Sequence, residues 1–403
     1  MVSGVVQIDP FAAVDVARLR RARSTKWSNF DADVLPAWVA DMDFDPPAAI
    51  RSGLQRWLDD GFLGYPGWQY HVHMRGVASR HLADRFGMLD DAERYTLQTD
   101  VVQGMHAAMR VWSEPGDNIL VLTPIYPPFF SVIREQGRRL LEHRLEIVDG
   151  EYRFDLDALR ALVSTHRPSM LLLCNPHNPV GRVFTESELR SLAELSIEFD
   201  IIVVTDEIHA ELVFDGRRHV AFETLSEAIR ERTITITSAS KSCNLAGLRA
   251  ATLVFGTMAL KEAFDRVFSS HTLGVTSYPG LLAMEIAWTD PSVAEWLSAC
   301  VAALAERRDR FARGLAAHAP EVVHLPAQGT YLAWVDLSSL GLSFSAGESA
   351  ADRLREEARV AFSAGPTFGD GLEHFIRVNL ATSPEVVDEI LDRLCGWINR
   401  QRA

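Results

Sequence analysis

The stretch TITITSASKSCNLAGLR, Thr233 to Arg249, joins an alternating β-branched run to a polar turn. Alternation of threonine and isoleucine over Thr233–Thr237 predicts a strand. The turn that follows holds Lys241 between two serines, and Arg249 comes eight positions later. In an open α/β sheet, ligands bind outside the carboxyl ends of the strands. A lysine placed directly after a strand therefore predicts a functional site.

Strands and helices alternate around this stretch, from about residue 50 to residue 285. The predicted strands are NILVLTP, RRLLEHRL, SMLLLCNP, IIVVTDE, TITITS and AATLVFG. The helices include RSGLQRWLDD, DLDALRALVSTH and TESELRSLAELSIEFD, and VVQGMHAAMRVW is predicted as a short turn followed by a helix. This order predicts a largely parallel sheet with helices on both faces.

The chain beyond about residue 286 has a different pattern. A long helical stretch, short strands, another helix, the strand-like HFIRVNLAT and a final helix predict a smaller α+β domain. The predicted organisation is an N-terminal segment, 1–50, that joins the small domain, a large domain, 51–285, and a C-terminal small domain, 286–403.

Composition and charge exclude several classes of protein. The 403 residues are 47% hydrophobic and 23% charged, which excludes a disordered chain. A formal net charge of −14 argues against binding to nucleic acid or an anionic membrane. Four scattered cysteines predict reduced thiols and a cytoplasmic protein. The first ten residues lack a secretory pattern, and the longest apolar blocks are too short to span a bilayer.

Polar residues follow several of the predicted strands. Asn178 lies in NPHNPVG after LLLC, Asp206 begins DEIH after IIVVT, and Tyr126 follows NILVLTP. Because the carboxyl ends of parallel strands share one edge, these residues and Lys241 are expected to converge. Each has a plainer explanation when taken alone: a solvated lysine, a capping aspartate, a turn asparagine before Pro179 and a core tyrosine.

The spacing of Asn178, Asp206, Lys241 and Arg249, followed by Arg377, resembles that of the fold type I pyridoxal phosphate (PLP) enzymes of the aminotransferase class I/II superfamily. The motifs SxSKxxxxxGxR and NPHNPVG carry the resemblance, which covers most of the chain. It implies a PLP-dependent transferase-like fold: a large domain with a mostly parallel seven-stranded sheet sandwiched by helices, and a smaller α+β domain. It also implies pyridoxal 5′-phosphate as the cofactor.

The resemblance assigns a role to each polar residue at this edge. Lys241 would hold PLP covalently and would later take the substrate Cα proton, since a shielded lysine near cations loses its own proton readily. Asp206 would pair with the pyridine nitrogen and keep it protonated. Asn178 would donate to the ring hydroxyl oxygen and contact the substrate, and Tyr126 would stack on the ring.

The cofactor phosphate needs hydrogen-bond donors. The resemblance assigns this role to the backbone N–H groups of Val102 and Gln103 at a helix N-terminus, to the hydroxyls of Ser238 and Ser240, and to the Arg249 guanidinium. The plainer alternatives are a solvated turn for the serines and a surface salt bridge for the arginine. The Gly- or Ser-rich phosphate loop usual in relatives is missing from this sequence.

Three further residues are assigned by the resemblance. Arg377 would clamp the substrate α-carboxylate, with an edge-strand arginine as the alternative. Tyr65, in GYPGW, would act catalytically by reaching across a homodimer interface to the partner's PLP phosphate. His209 would tune the ring hydroxyl or pack beside Asp206. His71 and His73 have no third ligand at a suitable spacing, so no metal site is expected.

Three motifs narrow the reaction. PAWVADMDF, Pro36 to Phe44, KSCNLAGL and DEIHAEL resemble the MalY/PatB branch of cystathionine or cysteine-S-conjugate β-lyases, although Ser242 and Cys243 depart from its pattern. The branch implies β-elimination from cystathionine or another S-substituted cysteine, giving a thiol, pyruvate and ammonia, and homocysteine from cystathionine itself. An aminotransferase is the alternative, and a regulatory binding protein of the same fold is a second. Methionine synthesis and sulfur salvage both stay open as its purpose.

Overall fold

Short strands run through the whole chain. In the computed structural model, which describes residues 9–268 and 275–402, the strands are β1 Leu35–Pro36, β2 Tyr95–Gln98, β3 Asn118–Thr123, β4 Arg139–Arg144, β5 Glu146–Val148, β6 Glu151–Arg153, β7 Met170–Cys174, β8 Ile202–Asp206, β9 Thr233–Thr237, β10 Ala251–Phe255, β11 Val323–His324, β12 Leu332–Asp336, β13 Val360–Ala361, β14 Ser363–Ala364 and β15 Phe375–Asn379. Most of the N-terminal stretch without a secretory pattern, residues 1–8, lies outside the described residues.

The largest sheet has seven strands in the order β2-β10-β9-β8-β7-β3-β4. Strand β10 is antiparallel to both of its neighbours, and the other pairs are parallel. Every residue of β7, β9 and β10 is buried, which is typical of strands covered on both faces. The predicted mostly parallel, seven-stranded sheet is confirmed.

Helices alternate with these strands. Their bounds are α1 Val16–Arg21, α2 Thr25–Ser28, α3 Ala48–Asp59, α4 Trp68–Phe86, α5 Val101–Trp112, α6 Pro128–Glu135, α7 Leu156–His166, α8 Glu186–Glu198, α9 Glu227–Arg230, α10 Met258–Val267, α11 Tyr278–Thr289, α12 Pro291–His318, α13 Ala350–Glu357 and α14 Pro384–Gln401. Over the described part of the chain, none of them is long and apolar enough to cross a membrane.

Side-chain caps fix where several helices begin. Thr185 and Glu188 form a reciprocal capping box at the start of α8. Helix α5 begins directly at Val101, so the predicted short turn before it is wrong. The physical reason is Asp100, whose Oδ1 accepts a hydrogen bond from the Gln103 N–H at 2.8 Å and starts the helix at once.

The chain forms two compact units, divided at 45/46 and 298/299 rather than at the predicted 50/51 and 285/286. The large unit, 46–298 with 328–330, contains the seven-stranded sheet. Helix α11 belongs to it because that helix packs on α3 and α4, where the Tyr70 hydroxyl donates to Glu285 at 2.6 Å. The small unit, 1–45, 299–327 and 331–403, contains the sheet β11-β12-β15-β14.

Candidate active site

Three neighbouring strands of the large unit carry polar residues at their carboxyl ends. Cys174, the last residue of β7, lies beside Asp206, the last residue of β8, and Asp206 lies beside Ile236 of β9. Asn178 follows β7 after three residues and Lys241 follows β9 after three residues, so both enter the same edge. The predicted convergence of an amide, a carboxylate and an amine agrees with this topology.

Asp206 is the electrostatic centre of this edge. Its side chain is buried, and its Oδ1 accepts a hydrogen bond from the Ile208 N–H at 3.1 Å. Burial raises the pKa of Asp206 to about 7, while the Ile208 hydrogen bond and the positive charge of Lys241 oppose that rise. A buried carboxylate in this state favours a cationic partner, which a protonated pyridine nitrogen supplies.

A hydrogen-bonded loop holds Asn178. The neighbouring His177 is fully buried, and its Nε2 donates to the carbonyl oxygen of Leu122 at 3.1 Å. Burial lowers the pKa of His177 to about 4, so the ring is neutral at physiological pH. The His177 backbone N–H donates to Arg182 O at 2.7 Å, and its carbonyl accepts from Gly181 at 2.8 Å. These contacts fix the buried Asn178 at the strand end.

A tight turn presents Lys241. The Ser238 hydroxyl donates to the carbonyl of Ala250 at 2.6 Å and accepts from the Ser240 N–H at 3.0 Å. The Leu245 N–H donates to Ser240 O at 2.9 Å and closes the turn, leaving Lys241 half-buried. Since a hydroxyl has one hydrogen, Ser238 uses its own on Ala250 in this arrangement. Its predicted role as a phosphate donor stays a prediction, as does that of Ser240.

The predicted phosphate end contains a carboxylate that the sequence did not single out. Asp100 accepts from the Gln103 N–H and also from the Arg249 guanidinium through its other oxygen. Arg249 has a left-handed backbone with φ of 57° and a side chain that is 63% exposed. The Val102 N–H lies in the first turn of α5, where a helix has no carbonyl partner for its amides. An aspartate directly before a helix is a sequence signal for a cap.

The remaining predicted residues of the large unit lie in three settings. Tyr126 is half-buried before α6 and packs against the sheet core, while His209 is buried in the turn after Asp206. Tyr65 is 87% exposed in the segment before α4. The predicted roles of these residues toward a bound ring or a partner subunit stay predictions.

The sequence reasoning missed a buried pair beside Asp206. Glu207 contacts His219 at 2.8 Å between Oε2 and Nε2, and its Oε1 accepts from the Phe222 N–H at 3.0 Å. Both side chains are buried. Consecutive residues of an extended chain point to opposite sides, so Glu207 points away from the side that carries Asp206. The Glu207–His219 pair therefore anchors the end of β8 on that opposite side. The acidic doublet was visible in the sequence, but its histidine partner lies twelve residues away in an irregular segment.

Arg377 lies in the small unit, on β15. Its guanidinium is buried and donates to the carbonyl of Trp38 and to the Ser363 hydroxyl, both at 3.0 Å. It also lies over the Phe368 ring at 4.9 Å. These contacts hold the side chain in one orientation, and they link it to the PAWVADMDF segment through Trp38. Neither Trp38 nor Ser363 was predicted as its partner.

A mostly parallel seven-stranded sheet with this polar edge defines the class: the fold is that of the PLP-dependent aminotransferase-type enzymes. Residues 39–394 match the family model described as aminotransferase class I and II. The chain therefore belongs to the aminotransferase class I and II family.

Similar proteins carry lyase names. Cystathionine beta-lyase PatB of Bacillus subtilis is 30% identical over 377 residues, covering 92% of this chain and 96% of that protein. Cystathionine beta-lyase of Corynebacterium glutamicum is 31% identical over 387 residues, covering 95% and 98%. The crystal structure of cystalysin from Treponema denticola, which contains pyridoxal 5′-phosphate, has a TM-score of 0.89 at 28% identity and covers 97% and 99%.

The residues of this edge fit PLP. Lys241 offers an amine, buried Asp206 offers a carboxylate whose pKa burial raises to about 7, and Asn178 offers an amide donor. The α5 N-terminus and Arg249 offer the N–H groups that a phosphate requires. Among the described residues, no group of three or more His, Cys, Asp or Glu side chains is arranged to hold a metal ion.

Proposed function

We propose that the chain is a PLP-dependent carbon–sulfur β-lyase that cleaves cystathionine or a related S-substituted L-cysteine to a thiol, pyruvate and ammonia. The observation that carries the proposal is the meeting of Lys241, Asp206 and Asn178 at one sheet edge, in a chain whose near-full-length relatives are named cystathionine β-lyases.

Lys241 and Asp206 divide the proton chemistry between them. The Lys241 amine would hold the cofactor at rest. Once the substrate amine has displaced it, the freed Lys241 amine would remove the proton from the substrate Cα. When bound, PLP supplies an electron sink for the negative charge that develops at that carbon. Asp206 stabilises the protonated ring nitrogen, because a buried carboxylate interacts strongly with a charge held in the same apolar setting. Expulsion of the thiolate from Cβ would complete the elimination. The thiolate takes up a proton to give the thiol, and water hydrolyses the released aminoacrylate to pyruvate and ammonia.

Asn178 and Arg377 orient the reactants in this proposal. The Asn178 amide donates to the ring hydroxyl oxygen and contacts the substrate. Arg377 binds the α-carboxylate through its guanidinium, and Trp38 and Ser363 restrict the orientation of that side chain. A planar guanidinium that is already oriented loses less conformational entropy when it binds a carboxylate.

We further propose that the active protein is a homodimer. Phe62, Leu63, Tyr65 and Trp68, here called the aromatic patch, are each more than half exposed, at 55%, 67%, 87% and 69%. Contiguous exposed apolar side chains of this size mark an interface. A second copy of the chain is the occupant that the resemblance implies, with Tyr65 contributing to the partner's site.

A thiol-release assay tests the lyase. PLP-loaded protein, given cystathionine or other S-substituted cysteines without any keto acid, is expected to release thiol and pyruvate in equal amounts over many turnovers. Lys241→Ala is expected to lose at least a thousandfold in kcat, because both the covalent attachment and the base are removed. Lys261→Ala, which changes a lysine paired with Asp265 on α10, is the control and should retain activity.

Two results would separate the alternatives. A single half-turnover that resumes only when a keto acid is added would identify an aminotransferase instead. A protein that takes up no cofactor, and gives no borohydride-stable adduct at Lys241, would contradict PLP chemistry at this edge altogether.

A further inference from the structure

Asp100 makes two contacts at the start of α5. One carboxylate oxygen accepts from the Gln103 N–H at 2.8 Å and caps the helix. The other oxygen accepts from the Arg249 guanidinium. The Asp100 side chain is 24% exposed, so part of its surface is shielded from solvent. The left-handed backbone of Arg249 is an uncommon conformation for a residue with a side chain, and the surrounding fold must enforce it.

Both donors that Asp100 uses are donors assigned to the cofactor phosphate. A phosphate at a helix N-terminus binds the first-turn N–H groups and favours the positive end of the helix dipole. Arg249 would bind the phosphate oxygens through the same planar fork that now contacts Asp100. The Asp100 carboxylate therefore lies beside the expected position of the phosphate. The two anions compete for the N–H groups of α5 and for Arg249.

We infer that Asp100 is an internal competitor of the cofactor phosphate, which weakens cofactor binding. The inference rests on the proposed function, since it takes the phosphate to bind at α5. Two anions near the same donors repel each other, and the repulsion is strong where water is partly excluded. Phosphate binding is therefore weaker than it would be beside a neutral residue, because the phosphate and Asp100 share the donors of Arg249 and of the first turn of α5.

Substitution of Asp100 by a neutral capping residue tests its charge separately from its role as the cap of α5. Asparagine and serine cap helices about as well as aspartate does, so Asp100→Asn and Asp100→Ser keep the α5 cap and remove the charge together with the oxygen that accepts from Arg249. Asp155→Asn is the matched control, because exposed Asp155 caps α7 through the N–H groups of Asp157 and Ala158. Apoprotein of each variant is titrated with PLP and, separately, with pyridoxal, which has no phosphate.

The expected result is a Kd for PLP about tenfold lower in both Asp100 variants, with the Kd for pyridoxal unchanged. Inorganic phosphate alone should raise the Tm of these apoproteins more than that of the wild type, because a tighter ligand stabilises the folded state more. Asp155→Asn should match the wild type in every measurement.

An unchanged or higher Kd for PLP in the Asp100 variants would overturn the inference and leave the lyase proposal standing. An equal gain for PLP and pyridoxal would also overturn it, because the phosphate would then not be the group that Asp100 opposes. If the wild-type apoprotein binds neither compound while its Tm shows it to be folded, the proposed function itself fails.

Discussion

Asp206 must hold a charge in a place that disfavours one. Burial raises the pKa of its carboxyl to about 7 from the ordinary 3.8. Between those two pH values, the unfolded chain loses a proton that the folded apoprotein retains. Stability of the apoprotein therefore falls as pH rises through this window, by at most roughly 1.4 kcal/mol per pH unit. In the proposed function, the charged form of Asp206 is the one that pairs with a protonated ring nitrogen.

Asp206→Asn should stabilise the apoprotein in a pH-dependent way. The asparagine has no proton to lose, and its Oδ1 can keep the hydrogen bond from Ile208. We expect its Tm advantage over the wild type to be small at pH 4, to grow up to pH 7 and to level off above it. Thermal unfolding of cofactor-free protein across this range measures the effect.

Asp200→Asn is the control for that series. Asp200 is 90% exposed and pairs with Arg232, so the same substitution there should give no pH-dependent gain. A Tm difference for Asp206→Asn that stays flat from pH 4 to pH 8 would show that burial does not hold the Asp206 proton.

The residues that could be predicted are those whose position follows from chain order. Asp206 ends β8, and Asn178 and Lys241 lie in the loops after β7 and β9. Parallel topology brings these strand ends together. Partners that come from distant segments could not be predicted. Ser363 meets Arg377 across two paired strands, and Asp100 meets Arg249 across 149 positions of the chain.

At the scale of elements, helix α11 supports the turn that carries Arg249. A Cβ added to Gly280 in its first turn would lie 2.4 Å from the carbonyl oxygen of Leu248 and 3.1 Å from the Cβ of Ala250. The obstructing atoms are backbone and a short side chain, so they cannot rotate away. The close approach therefore requires a glycine and fixes the backbone on both sides of Arg249.

Gly280→Ala should destabilise the protein by about 1–3 kcal/mol and should weaken PLP binding as well, because the turn with Arg249 must shift. Chemical denaturation and PLP titration measure the two effects. Gly76→Ala in α4 is the matched control, since its added Cβ would meet only the guanidinium of Arg80 at 3.4 Å. It should be neutral or stabilising by up to about 1 kcal/mol. Equal behaviour of the two variants would contradict this account of α11.

The elements that the sequence predicted well include β7, a fully apolar run, and α8, which begins with a capping box. Strand β2 was missed because Tyr95–Gln98 is short and only its two end residues are buried. It becomes a strand by pairing with β10, more than 150 positions later, and that pairing is antiparallel. Strand pairing across such distances depends on tertiary packing rather than on local propensity.

At the scale of the whole molecule, the aromatic patch stays more than half exposed among the described residues, although Phe62 contacts the Tyr278 ring and Trp68 contacts the His71 ring. Tyr65 and Trp68 also line a cavity of about 690 Å³ in the large unit. If Tyr65 serves the site of a second copy, then each site in a twofold dimer uses Lys241 and Asp206 from one subunit and Tyr65 from the other. Such a shared site predicts that two inactive variants can restore activity in a mixed dimer, which is impossible if each site lies within one subunit.

Mixing two impaired variants should restore activity. When Lys241→Ala and Tyr65→Ala proteins are unfolded together and refolded, half of the dimers combine both subunits, and each mixed dimer has one site with neither substitution. About a quarter of wild-type thiol release is therefore expected. A mixture of Lys241→Ala with Asp206→Asn should restore none, because both residues belong to the same subunit's site. Sedimentation would establish the dimer in each sample. If the mixture of Lys241→Ala with Tyr65→Ala is as inactive as this control, Tyr65 does not contribute to the partner's site.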